Sequence, residues 1–158
     1  LTSPENDAKI FAKHFDILRN DEMSNEINQL TIISKALADP KRIRIILALS
    51  QRECCLCQLT ELLQLSPSTV SKHLSILRQA DLIRSRREGK WIHCSLPGEE
   101  ASPASREALA WVISFAGESE QARKDARRLK EICSRPGACE KQRETNIKPS
   151  SIQSAPKR

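Results

Sequence analysis

Leu59–Ala80, LTELLQLSPSTVSKHLSILRQA, holds two short apolar runs separated by a polar break. Leu59, Leu62 and Leu63, with Leu56 just upstream, recur on one helical face. Ser66-Pro67-Ser68 interrupts them, and Val70, Leu74 and Leu77 then resume the period. Two short amphipathic helices joined by a tight turn make a helix-turn-helix. At about 100° per residue, a second helix with Val70, Leu74 and Leu77 inward presents Ser68, Lys72, Ser75 and Gln79 outward. Thr69 and Ser71 lie on its flanks. Short hydroxyls at a helix N-terminus approach phosphates and base edges closely, and Lys72 and Gln79 can hydrogen-bond bases or backbone. His73 lies nearer the inner side and reads as structural.

Downstream, Leu82–Arg86 and Trp91–Leu96 flank Glu88-Gly89, which predicts a two-stranded hairpin closed by a glycine turn. A hairpin after a helix-turn-helix is a wing. Arg84, Arg86, Arg87 and Lys90 place four cations within seven residues of it, suited to phosphate or minor-groove contact near the tip. A solvated helix face with an ordinary charged hairpin is the bland alternative. The order of the elements favours double-stranded DNA as the partner.

Upstream, Asp39-Pro40 pairs a cap with a first-turn proline and opens a short helix with Ile43, Ile46 and Leu47 inward. The helix before it carries Ile27, Leu30, Ile33 and Leu37 on one face. Ser3-Pro4 starts an amphipathic N-terminal helix with Ala8, Phe11, Phe15 and Leu18. Toward the C-terminus, Ser102-Pro103 caps a helix with Leu109, Val112, Ile113 and Ala116 as its stripe, interrupted at Gly117. Ala122, Ala126, Leu129 and Cys133 then keep helical spacing in a polar segment. Residues 1–22 are expected to form an N-terminal helical extension, and 23–117 a winged helix-turn-helix with dimerisation helices. Residues 118–135 are read as a polar helical extension, and 136–158 as a disordered basic tail too polar to offset its ordering entropy. The predicted class is mainly α with one two-stranded β-hairpin.

The net charge of +6 comes from the C-terminal segment 121–158. Gln121–Arg158 holds 11 basic and 4 acidic residues, and the remainder holds 15 basic against 16 acidic. Local clusters rather than overall charge therefore carry the nucleic-acid argument. No run approaches the ~20 apolar residues of a membrane span and no apolar leader opens the chain. A cytoplasmic protein without a membrane partner is expected. Only four glycines are present, and no nucleotide-cradling loop. Nor is there a nucleophile, base and orienter set, so the chain is not read as an enzyme.

Six cysteines in a reducing compartment read as thiols, metal ligands or redox groups rather than a disulfide framework. Cys54, Cys55 and Cys57 crowd the entrance of the helix-turn-helix. If a helix starts near Leu56, Cys55 caps it and Cys57 sits in its first turn, where the helix N-terminus favours thiolate. Were all three helical, their sulfurs would diverge, so a shared ion requires a non-helical start. The cluster suits a soft metal or metalloid; apolar packing is the competing reading. Cys133 and Cys139 are further candidate ligands, or tail thiols without such a role. Cys94, alone on a wing strand, reads as packing. His14, His73 and His93 are dispersed and suggest no zinc site.

Leu37-Ala38-Asp39-Pro40-Lys41-Arg42, Ser68–Arg78 (STVSKHLSILR) and Gly89-Lys90-Trp91-Ile92-His93 resemble the ArsR/SmtB family of winged-helix repressors across roughly Leu30–Ala116. The resemblance implies a homodimer pairing through Ile27–Leu37 and Leu109–Ala116. It also implies palindromic operator DNA, released when a metal or metalloid binds. Cys55 and Cys57 match the Cys-x-Cys pair of the arsenic-responsive subgroup, which implies arsenite or antimonite as inducer. The subgroup's further cysteine is Thr60 here, leaving Cys54 as the third thiol from the other side. Cadmium, lead or thiol oxidation as the signal are alternatives on the same fold. A thiol-redox or metal-carrier protein using the Cys54-x-x-Cys57 spacing is another reading, without a surrounding βαβ pattern to support it.

Overall fold

The computed structural model describes residues 25–135. The expected helix near the N-terminus, the tail from Pro136 and Cys139 lie outside the described residues. The chain runs through α1 (25–37), α2 (Pro40–Gln51), β1 (Cys54–Cys55), α3 (Leu56–Leu63) and α4 (Pro67–Gln79). It continues through β2 (Arg84–Glu88), β3 (Trp91–Ser95), α5 (Pro103–Ala116) and α6 (Glu120–Ser134).

Local chemistry sets the boundaries. The Asp39 carboxylate accepts from the backbone N–H of Lys41 (2.7 Å) and Arg42 (3.4 Å), and Pro40 takes a position that needs no intrahelical N–H bond. Cys55 caps α3: its sulfur accepts from the Gln58 N–H at 3.4 Å, and the Gln58 side-chain oxygen accepts from the Cys55 N–H at 2.8 Å. Gln64, in the left-handed region at φ 55°, ends α3. Ser66 and Pro67 then start α4. Gly89, at φ +57°, turns the hairpin between paired Glu88 and Trp91.

Ile45, Ile46, Leu59, Leu62, Val70, Leu77, Leu82 and Ile83 form the buried centre, closed on another side by Leu109, Val112, Leu129 and Ile132. The inner stripe of α6 is Ala122, Asp125, Leu129 and Ile132. The expected Ala126 and Cys133 are half-buried beside it. That shift allows the Asp125 carboxylate to take Arg44 of α2 in a two-pronged pair, Nε–Oδ2 2.6 Å and Nη2–Oδ1 2.8 Å. The hairpin is also more than two strands. Cys54–Cys55 pairs antiparallel with β3, giving a three-stranded sheet in the order β1-β3-β2. No helix among the described residues is long and apolar enough to cross a membrane.

Candidate nucleic-acid interface and thiol centre

The outer face of α4 carries Ser68, Ser71, Lys72, Ser75 and Gln79, all exposed. Thr69 is half-buried and bound into the cap, its hydroxyl 2.8 Å from that of Ser66. Inward, Val70, Leu74 and Leu77 are buried, as their spacing predicts. His73 faces back across the fold, with Nδ1 3.8 Å from an Asp39 carboxylate oxygen. The helix thus offers solvent a row of short hydroxyls, one lysine and one glutamine, starting at a positively polarised N-terminus.

The four wing cations separate into two groups. Arg84 sits at the strand end remote from the turn, paired in register with Ser95, and its guanidinium is bound to Asp81 (2.5 Å) and Glu100 (3.5 Å). It is therefore not a tip residue, contrary to the sequence-based expectation. Arg86 is held by Glu53 at 2.6 Å and Glu88 at 2.9 Å, which offsets its charge. Arg87 and Lys90 flank the turn and are exposed. Arg87 Nε donates to the Gly89 carbonyl at 3.1 Å, and Lys90 Nζ lies 5.1 Å from the Trp91 ring centroid. These two exposed cations lie nearest the turn.

At the thiols, the extended backbone of β1 governs the geometry. Side chains alternate along a strand, so Cys54 and Cys55 face opposite ways. Cys54 is paired in register with Cys94 and packs in the core, where neither is accessible. Burial pushes the Cys54 thiol from the ordinary 9.0 up to about 12, with Cys133 nearby adding to the shift. The thiol donates to the Arg52 carbonyl at 3.5 Å. Cys94 is likewise pushed up to about 11 by burial. Cys55 is paired with His93 on the other face. Its sulfur meets that of Cys57 from the first turn of α3, and the two are joined as a disulfide with Cα atoms 5.4 Å apart.

The structure therefore brings Cys55 and Cys57 together and separates Cys54 from them. The expected third thiolate at Cys54 does not converge. Cys133 is half-buried and accepts a hydrogen bond from Gln58 Nε2 at 3.2 Å, so one glutamine links the capped start of α3 to α6. No cluster of three metal-binding side chains is preassembled among the described residues.

Several residues at the site carried no clear signal in the sequence. Glu53 binds Arg86 and lies 3.6 Å from buried His93 Nδ1, linking the approach to the thiols with the wing. Leu56, Cys57, Thr60, Glu61, Pro67, Lys90, Trp91 and Ile92 line an open groove of about 350 Å³ between α3, the start of α4 and the wing. A two-residue strand without β-branched side chains gives no periodicity to detect. That strand ties β3 of the wing to the start of α3.

Comparison with known proteins agrees with this architecture. The model of the family described as bacterial regulatory protein, arsR family, matches residues 39–85. The arsenical resistance operon repressor of Bacillus subtilis is 39% identical over 87 residues, which are 54% of this chain and 83% of that protein. A homologue of the cadmium resistance transcriptional regulatory protein CadC from Staphylococcus aureus is 32% identical over 78 residues, 49% of this chain and 64% of its own. Among solved structures, the homodimeric winged helix-turn-helix DNA-binding domain Mb0332 from Mycobacterium bovis aligns with a TM-score of 0.51 at 26% identity. That alignment spans 60% of this chain and 85% of that one. Identity of this order along most of a relative's length, on the same fold, establishes kinship: the chain belongs to the ArsR family of bacterial regulatory proteins, DNA-binding transcriptional repressors built on a winged helix-turn-helix.

Proposed function

We propose that the protein is a homodimeric repressor that holds operator DNA through α4 and the wing and leaves it when trivalent arsenic or antimony binds at Cys55 and Cys57. The observation that carries this reading is the pairing of those two sulfurs at the first turn of α3, the helix that positions α4. Soft thiolates suit a soft metalloid. Ligand bound there bears on the Cys55 cap, on α3 and, through β1, on β3 of the wing. The reading helix and the wing are thus both one step from the ligand.

The dimer reading is supported by an apolar face that the single chain leaves open. Ile27 and Leu30 of α1 are exposed, as are Trp111 and Phe115 of α5, whose rings stack at 6.0 Å. These residues fall within the two segments expected to pair. Large apolar side chains of this kind mark an association surface.

Two alternatives each have an observation behind them. The disulfide between Cys55 and Cys57 favours thiol oxidation as a signal, and the cadmium-resistance relative favours a soft divalent ion. Fluorescence anisotropy on upstream promoter DNA separates them. Reduced protein is titrated with arsenite, antimonite, cadmium and lead, and separately with peroxide. The proposal expects release by arsenite and antimonite at the lowest concentrations. Release by cadmium, lead or peroxide alone would transfer the function to that signal.

A further inference from the structure

Just past the end of α4 the chain turns at Asp81, whose backbone lies in the left-handed region at φ 60°, a conformation that aspartate tolerates better than most side chains. Its carboxylate is divided between two neighbours. Oδ1 takes the guanidinium of Arg84, at the base of β2, at 2.5 Å, and Oδ2 accepts the N–H of Ser102, the cap of α5, at 3.0 Å. Beside it, fully buried Ser105 of α5 donates its hydroxyl to the Ala80 carbonyl at 3.3 Å. The Ser102 hydroxyl in turn accepts from the Gln29 amide of α1 at 2.5 Å. One polar junction therefore joins the end of the reading helix, the base of the wing, and both helices that carry the open apolar face. The buried stripe of α4, Val70, Leu74 and Leu77, is apolar and gives attraction without direction. Hydrogen bonds supply direction.

We propose that Asp81 is a positioning residue for operator recognition: by fastening the end of α4 and the wing base to the start of α5, it sets the separation of the two reading helices in the dimer and hence the half-site spacing the protein accepts. This rests on the pairing of α1 and α5 argued above. A dimer reads two half-sites at once, so the distance between its reading helices follows from how each α4 is held against the pairing helices. One added base pair moves a half-site by about 3.4 Å along the duplex and turns it by about 35°. A junction of short directional bonds resists that displacement, whereas an apolar stripe alone lets α4 slide and tilt to follow it. Asp81 touches no DNA in this scheme. It acts through α4 and the wing, and Arg84 serves it by holding the second carboxylate oxygen.

The test uses the full chain on duplexes carrying the footprinted operator at its natural half-site spacing, one base pair closer and one base pair farther apart. Affinity is read by fluorescence anisotropy, and the oligomeric state by analytical ultracentrifugation. Asp81→Gly removes the carboxylate while accommodating φ 60°, and Asp81→Asn keeps an acceptor for the Ser102 N–H on a residue that also visits this backbone region. Ser102→Pro deletes the same bond from the donor side, at a φ of −57° that proline adopts, and provides the test if Asp81→Gly does not fold. The parent and Asp81→Asn are expected to lose about tenfold in affinity at either altered spacing, the scale of one mismatched base pair. Asp81→Gly and Ser102→Pro should remain dimers yet discriminate by less than about threefold on the same scale. A purely structural role would lower the melting temperature without moving this ratio. Parental discrimination in Asp81→Gly or Ser102→Pro, or equal losses in Asp81→Asn and Asp81→Gly, would overturn the proposal while the dimer stood. A parent that sediments as a monomer, or that ignores spacing, would overturn the dimer reading and the proposal with it.

Discussion

Between Cys54 and Cys55 one peptide unit of extended backbone changes the chemistry of a thiol. Both are fully buried, but Cys54 packs in the core beside Cys94 and is kept neutral there, while Cys55 meets Cys57 at a helix start. Two consequences are measurable. In reduced native protein at pH 8, iodoacetamide should modify exposed Cys57 well before Cys54 or Cys94, as peptide mass spectrometry would show; early labelling of Cys54 would place it outside the core. Stability should also fall in alkali. The unfolded chain loses the Cys54 proton near 9.0, whereas the folded chain keeps it to about 12. Above pH 9 the unfolded state thus binds fewer protons. The stabilisation is complete below that pH and is lost as pH rises toward 12, by at most about 1.4 kcal/mol per pH unit for one thiol. Melting curves from pH 8 to 11 should decline more gently in Cys54→Ala than in the parent. Parallel declines would contradict the burial argument.

Among the elements, α6 and the wing each depend on identifiable charges. Asp125 is buried and holds Arg44 by two bonds, so Asp125→Ala leaves a guanidinium short of its partner where α6 crosses α2. A cost of about 3 kcal/mol in urea unfolding is expected, as for a broken, largely buried pair; a cost under about 0.5 kcal/mol would show that the pair is a surface ornament. In the wing, Arg87→Ala with Lys90→Ala should weaken operator binding and flatten its salt dependence by about 0.9 per lost phosphate contact. Arg84→Ala should leave the slope alone, because Asp81 and Glu100 already hold that charge. Equal flattening by Arg84→Ala would return it to the interface. The helices were legible because apolar spacing and the Asp39-Pro40, Ser66-Pro67 and Ser102-Pro103 caps act locally, and local chemistry is written locally. Glu53, Arg44–Asp125 and the groove were not, since each joins residues distant in the chain. The Cys55 cap and the Cys57 first-turn position could be read from the sequence, but the strand that turns Cys54 away could not. Its partner, β3, lies nearly forty residues downstream.

For the molecule as a whole, two surfaces carry the account: the apolar face of α1 and α5, and the reading face of α4 with the wing. Trp111→Glu with Phe115→Glu should shift the protein from dimer to monomer in analytical ultracentrifugation and weaken operator binding, since two half-sites need two reading helices. An intact dimer would move the pairing surface elsewhere. Release then requires ligand to favour the DNA-free form by its difference in affinity for the two states, on the order of 1–3 kcal/mol for a working allosteric switch. The most direct measurement is operator release by arsenite, followed by anisotropy, for the reduced parent and for Cys57→Ser. Release should occur in the parent and be absent in the variant, with ligand-free operator affinity within about twofold. Release by Cys57→Ser at parental arsenite concentrations would contradict the assignment of Cys55 and Cys57 as the sensing pair.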